Sequence, residues 1–201
     1  MSQIVLDREL PVGAAGTRSS GWWTMMFVIL TEGALFAYLL FSYYYFAIQP
    51  QQEWPPGGPL PLMLAAPNTV ILILSSVAAW WGERGIKEGS NARLLLGLVV
   101  ALALGIIFVV IQSFEWRSMH FTLASDPFGS NYFVTTGLHM AHVVGGLLLL
   151  AALSLWSAFG YFDAKRHAAV STGVIYWHFV DAVWLTVWFT FYITPRLGLG
   201  S

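Results

Sequence analysis

Five long apolar runs, separated by short polar or proline-rich stretches, organise the chain. They cover about residues 22–48, 62–82, 93–117, 131–160 and 170–194. A hydrocarbon core ~30 Å thick takes ~20 helical residues to cross, so each run predicts a membrane-spanning α-helix. The expected fold is all-α: an integral membrane bundle of five transmembrane helices, forming a single membrane domain over 22–201. Residues 1–21 mix Asp7, Arg8 and Glu9 with Pro11 and several glycines, and read as a polar N-terminal arm. The first apolar run is too long for the core of a signal peptide, so the arm is expected to be retained.

The connections set a topology. Residues 53–62, EWPPGGPLPL, concentrate prolines and glycines and should be irregular or extended. ERGIKEGSNAR (83–93) and DAKRH (163–167) are short and basic. They predict antiparallel hairpins of the second with the third helix and of the fourth with the fifth. Five crossings gather Arg8, Arg18, Arg84, Lys87, Arg93, Lys165 and Arg166 on one side and leave Arg117 and Arg196 on the other. The positive-inside rule then places the N-terminus in the cytoplasm and the C-terminus outside. Trp22, Trp23, Trp80, Trp81, Trp116 and Tyr132 fall near run ends, as an interfacial aromatic belt does.

Composition narrows the function. Of 201 residues, 57% are hydrophobic and 9% charged, and the mean hydropathy is +0.68. With a net charge of -1 and scattered cations, no basic field exists for nucleic acid. The absence of cysteine removes disulfides, thiolate chemistry, iron-sulfur ligation and covalent c-type haem attachment.

Small residues recur at helical spacing. Gly137, Ala141 and Gly145 form a seam on the fourth helix, Gly97, Ala101 and Gly105 one on the third, and Gly33 and Ala37 a shorter one on the first. Such seams predict close helix packing. On the fifth helix Trp177, Asp181, Trp184 and Trp188 share a stripe. An ionised aspartate at mid-span costs ~2.5–3.5 kcal/mol on insertion scales, so Asp181 should face protein. Glu32 lies ten residues beyond Trp22, ~15 Å along the helix, with Met25, Ile29, Phe36 and Leu39 on its face. That apolar surround makes ionisation costly, so Glu32 is expected as a proton-related carboxyl or as a neutral acid bonded to another helix.

His139 and His142 stand one turn apart. A His-x-x-His turn can offer two nitrogens to one ion, with His178 and Asp181 or Glu32 completing the set. No second histidine pair is present to build the sites typical of helical bundles, and His120 and His167 fall in loops. Hydrogen bonding by neutral imidazoles, to the helices bearing Glu32 and Asp181, is the simpler expectation. Two other readings stay open: a stand-alone proton- or substrate-conducting membrane protein using Glu32 and Asp181, and an intramembrane metalloenzyme. Arg84, Lys87 and Arg93 are candidate lipid head-group contacts, set against an ordinary solvated turn.

In order, FVILTEGALFAYLLFSYYY (27–45), Trp54 to Pro56, Asn68-Thr69 at a helix start, Glu88-Gly89, IQSFEW (111–116), Phe121-Thr122, GSNYFVTTGLHMAHVVGG (129–146) and YWHFVDAVWL (176–185) resemble subunit III of the haem-copper terminal oxidases, of the five-helix bacterial type. The resemblance implies a non-catalytic accessory subunit of a cytochrome c or quinol oxidase, with no redox centre, cofactor or metal site in this chain. Haems and copper would reside in the catalytic subunit I, against which this chain would pack beside other oxidase subunits in the bacterial cytoplasmic membrane, with respiratory supercomplexes as wider partners. It further implies support of proton uptake, protection of the catalytic subunit and bound structural phospholipid. Glu32 occupies the family's intramembrane acid position. His139, His142, His178, Asp181 and Glu115 occupy its polar positions, and none is a family metal ligand.

Overall fold

The computed structural model describes residues 20–49 and 54–198, so the arm expected over 1–21 lies outside the described residues except for Ser20 and Gly21. The helices are α1 (Ser20–Ala47), α2 (Leu62–Lys87), α3 (Asn91–Ser118), α4 (Pro127–Ala158) and α5 (Ala168–Trp188). A π-helical turn (Phe189–Ile193) and a 3-10 turn (Thr194–Leu197) extend α5. Among the described residues there is no strand, and all five helices are long and apolar enough to cross a membrane.

Capping chemistry places the ends where hydropathy alone does not. Asp126 Oδ1 accepts from Gly129 N at 2.7 Å with Pro127 in the first turn, so α4 starts four residues before the apolar run. The second helix starts at Leu62 with Pro67 inside it, and Asn68-Thr69 is interior rather than a helix start. At its other end α2 runs through GERGIK to Lys87, leaving only Glu88 to Ser90 as the turn. Gly89 takes φ 85° there, which a glycine adopts without Cβ strain. In the α4–α5 connection Asp163 Oδ1 accepts from the backbone N–H groups of Lys165 and Arg166, each at 2.7 Å. These bonds, with the Arg166 side chain, hold its carboxyl below the usual range.

Beyond α1 the chain is non-helical from Trp54 to Pro61. Trp54 turns back into the bundle end, edge-on to Tyr43 and Phe128 at centroid distances of 5.5 and 5.3 Å. Arg196 ties the loop to the end of α5 by donating to Leu60 O and Tyr192 O.

The α2–α3 hairpin is the closest pairing; α3 packs on α4, α4 on α5, and α5 on α2, while α1 lies against α4 and α5. The α3 seam is buried. A Cβ at Gly97 would lie 2.6 Å from both Ala78 O and Gly82 Cα, and one at Gly105 would meet Leu147 and Trp177. The α4 seam differs from expectation. Ala141 and Gly145 are exposed and nothing lies within 4 Å of a Cβ at Gly137. Gly146, one residue round the helix, makes the close approach instead, to the Trp177 ring. Where every face is apolar, spacing identifies a small-residue face but not the direction it points.

Gly97→Ala should therefore destabilise the hairpin, by ~1–3 kcal/mol if the backbones yield as over-packed cores do. Gly137→Ala should be neutral. Thermal unfolding of the two variants in one detergent checks both.

Candidate functional site

The intramembrane polar residues group into three places. The first joins α1 to α4. His142 Nε2 lies 3.1 Å from Glu32 Oε2, and its Nδ1 lies 2.7 Å from Leu138 O. A carbonyl oxygen only accepts, so Nδ1 carries a hydrogen. The Nε2–Oε2 contact then needs one more proton, held either by the carboxyl or by the imidazole. Whichever side holds it, the pair is neutral as a unit, which suits a site away from water. The Phe36 ring packs edge-on to His142 at 5.2 Å. Tyr176 Oη donates to His142 O at 3.4 Å. The surround of Glu32 is thus less apolar than its own helix face suggests, because the partner comes from a helix 110 residues away in sequence.

His139 stands one turn back on α4 and is buried. Its Nε2–H donates to Val180 O on α5 at 3.2 Å, and the ring lies 4.9 Å from that of Trp184. The two histidines therefore serve the helices of Glu32 and Asp181 separately.

The second place is the α2–α5 face. Trp177 and Trp184 donate their indole N–H groups to Ser75 Oγ and Thr69 Oγ1, each at 3.0 Å. These bonds set the rotation of α5 and turn the aromatic stripe into the protein. Asp181 and His178, on the edge of that stripe, are half-buried. Asp181 faces Ser76 of α2 and feels His178, which in turn feels Glu83. The Ser76 hydroxyl is the donor that faces the Asp181 carboxyl, whose Oδ1 is buried.

The third surrounds Glu115, 1% exposed at the end of α3. Tyr192, presented by the π-helical turn, donates to Glu115 Oε1 at 2.7 Å, and Tyr132 lies 2.8 Å from Tyr192 oxygen to oxygen. Asn68 Nδ2 donates to Phe108 O at 3.3 Å and reaches Gln112 Oε1 at 3.5 Å. Tyr132, expected at the membrane interface, is fully buried here, and Tyr192 carried no sequence signal, since in so aromatic a chain nothing distinguishes a tyrosine that serves an acid from one that packs.

The candidate head-group cations divide. Lys87 pairs with Glu83 at 2.7 Å and Arg93 with Glu88. Arg84 meets no carboxylate among the described residues and lies over the Trp80 ring at 4.3 Å. Among the described residues no three His, Cys, Asp or Glu side chains converge to hold a metal. Nor does a contact link Glu32 with Asp181: the first is served from α4, the second faces α2.

The sequence matches known proteins over most of its length. A family model described as cytochrome c oxidase subunit III matches residues 15–195. Cytochrome c oxidase subunit 3 of Drosophila melanogaster is 32% identical over 177 residues, 85% of this chain and 68% of the relative. That of Didelphis virginiana is 33% identical over 182 residues, 87% of this chain and 63% of the relative. That of Spodoptera frugiperda is 34% identical over 142 residues, 69% of this chain and 97% of the relative. A match that runs from the first helix through the α5 stripe, over a bundle with this helical architecture, places the chain in the cytochrome c oxidase subunit III family.

Proposed function

We propose that this chain is an accessory, non-catalytic subunit of a haem-copper terminal oxidase that packs against the catalytic subunit, stabilises it and supports its proton uptake. The observation that carries the reading is the Glu32–His142 pair, a one-proton acid–imidazole unit placed within the apolar spans. Glu32 keeps a third of its side chain exposed at the bundle edge, so the pair can exchange its proton with a neighbour rather than only brace two helices. Haem and copper chemistry belongs to the partner under this reading. Both nitrogens of His142 and Nε2 of His139 are already committed to hydrogen bonds within the bundle.

The same reading assigns the chain to the bacterial cytoplasmic membrane with its N-terminus inside. Helix alternation supports the orientation, because it puts Arg84, Lys87 and Arg93 at the α2–α3 turn on the same side as Lys165 and Arg166. Structural phospholipid would lie against α1. Its head group would meet Arg84, or other cations at that end, and its acyl chains would follow the apolar grooves flanking α1. One of these, ≈ 400 Å³, is lined by Met25, Leu149, Ala169 and Thr172; another, ≈ 370 Å³, by Leu39, Phe46 and Val134.

Purification in mild detergent tests the core of the reading. A complex showing haem absorption is expected to carry this chain, and a chain recovered with no haem-bearing partner refutes it. At the pair itself, Glu32→Gln should assemble normally, because its amide N–H still donates to His142 Nε2. Glu32→Ala or Glu32→Asp should loosen α1 from α4, leaving a half-buried imidazole nitrogen unpaired at a cost of up to ~1–3 kcal/mol. Oxidase assembly together with proton-coupled turnover in the three variants reads this out. Proton-related function predicts that the Gln variant assembles but pumps less; failure of that variant to assemble sinks the one-proton description.

A further inference from the structure

We propose that the seam between α1, α4 and α5 is a water inlet, through which the Glu32–His142 pair exchanges its proton with the end of the bundle that bears the α4–α5 turn. This inlet presupposes the proton-related part of the oxidase-subunit reading above and gives it a route. The groove beside Met25 then holds water, and acyl chains keep the groove beside Val134.

The carboxyl of Glu32 sets the requirement. Its Oε2 meets His142, whereas its Oε1 has no hydrogen-bond partner among the described residues and is accessible. An accessible carboxyl oxygen within an apolar span is costly against acyl chains, which donate nothing. Water supplies the missing donor and can also carry a proton to or from the pair.

The three helices lead to that oxygen from one end only. A groove of ≈ 400 Å³ opens between Met25 of α1, Leu149 of α4, and Ala169 and Thr172 of α5. Glu32 follows Met25 by seven residues and His142 precedes Leu149 by seven, so the pair lies ~10 Å deeper along both helices. Between the two levels α4 carries Gly145, which is exposed, and the nearest atom to a Cβ there would be Tyr176 Oη at 3.7 Å. The missing side chain keeps the seam open on α4, while Tyr176, held by its bond to His142 O, narrows it from α5. Beyond the pair the seam closes. Phe36 is buried there, edge-on to His142 and His139, and Phe179 lies 3.9 Å from where a Cβ of Gly33 would stand.

The mouth is polar although the walls are not. Ala168 and Ala169 border the groove in the first turn of α5, where amides have no acceptor within the helix. His167 adds no side-chain cap. Those N–H groups and the Thr172 hydroxyl give water its hydrogen bonds at the entrance. The apolar walls further in make a path that wets intermittently, with Tyr176 at the constriction, as hydrophobic gates do.

Cysteine accessibility tests the inlet. The chain contains no cysteine of its own, and only a thiolate reacts, so a thiol in apolar surroundings stays inert. Thr172→Cys, Gly145→Cys and Leu148→Cys are made separately in the assembled complex in sealed membrane vesicles. A charged, membrane-impermeant methanethiosulfonate is added from one side or the other, and the adduct is read on this chain by mass. We expect labelling at 172 and 145 from the side of the α4–α5 turn, and none at 148 on the outward face of α4. Protection of 145 overturns the inlet, whether an acyl chain or close packing protects it. Labelling of 145 from the opposite side alone, or equal labelling at 148, overturns it too. In turnover, Gly145→Phe plugs the seam without replacing either member of the pair. It should lower proton-coupled turnover towards the level of Glu32→Gln, and Leu148→Phe should not. If Glu32→Gln lowers turnover and Gly145→Phe leaves it unchanged, the inlet alone fails. If Glu32→Gln itself leaves turnover unchanged, the proton-related reading fails and the inlet with it.

Discussion

Surrounded by lipid, a polar group can be satisfied only by protein, and that constraint decides how these five helices are rotated. Apolar side chains cannot do it, because a leucine facing lipid and a leucine facing another helix differ little in free energy. A few directed bonds do. Trp177 and Trp184 fix α5 on α2, His139 fixes α4 on α5, and His142 with Glu32 fixes α1 on α4. Each uses a donor and an acceptor from different helices, and together they join four of the five. The glycines of α2 and α3 let those two backbones approach, beside the bond from Asn68 to Phe108 O.

Helix α5 is the centre of this scheme. Its inner stripe holds α2, the Val180 carbonyl receives α4, and Phe179 meets Gly33 of α1. Past Trp188 the helix widens into a π turn that swings Tyr192 onto Glu115. A regular α-helical continuation would present a different residue to that acid, so the local irregularity and the buried carboxyl are best understood together. The Arg196 bonds to Leu60 O and Tyr192 O then fasten the proline-rich loop to the same end.

Much of this was legible in the sequence, for physical reasons that also mark where reading stops. Helix number follows from hydropathy because bilayer thickness sets a length. The ends do not, since Pro127 to Asn131 is polar yet helical under the Asp126 cap, and GERGIK is polar yet helical because Gly82 and Gly85 lie against α3. Pairing the HMAH turn with the helices of Glu32 and Asp181 was accessible by elimination: a buried imidazole needs an acceptor and few exist. The α4 seam was misdirected because Gly137, Ala141 and Gly145 share a face whose sense depends on neighbours the spacing does not reveal. Tyr132, expected in the interfacial belt, is instead fully buried against Tyr192, and the roles of Tyr176 and Tyr192 arise only from contacts made across the bundle.

The geometry of the Glu32–His142 pair also bears on whether protons cross this chain or stop in it. A relay needs each group to receive a proton on one atom and release it from another. In His142 the second atom, Nδ1, is bound to Leu138 O, a backbone carbonyl of the same helix that does not pass a proton onward. Tyr176 donates to the backbone oxygen of His142 rather than to its ring. No contact among the described residues carries the path from the pair to Asp181, which faces α2 instead. The imidazole is therefore a terminus, and the only open side of the pair is the exposed edge of Glu32. Among the described residues, no side-chain contact continues the path from the pair through the bundle. That asymmetry favours a subunit that lends a titratable site to a neighbour over a stand-alone conductor.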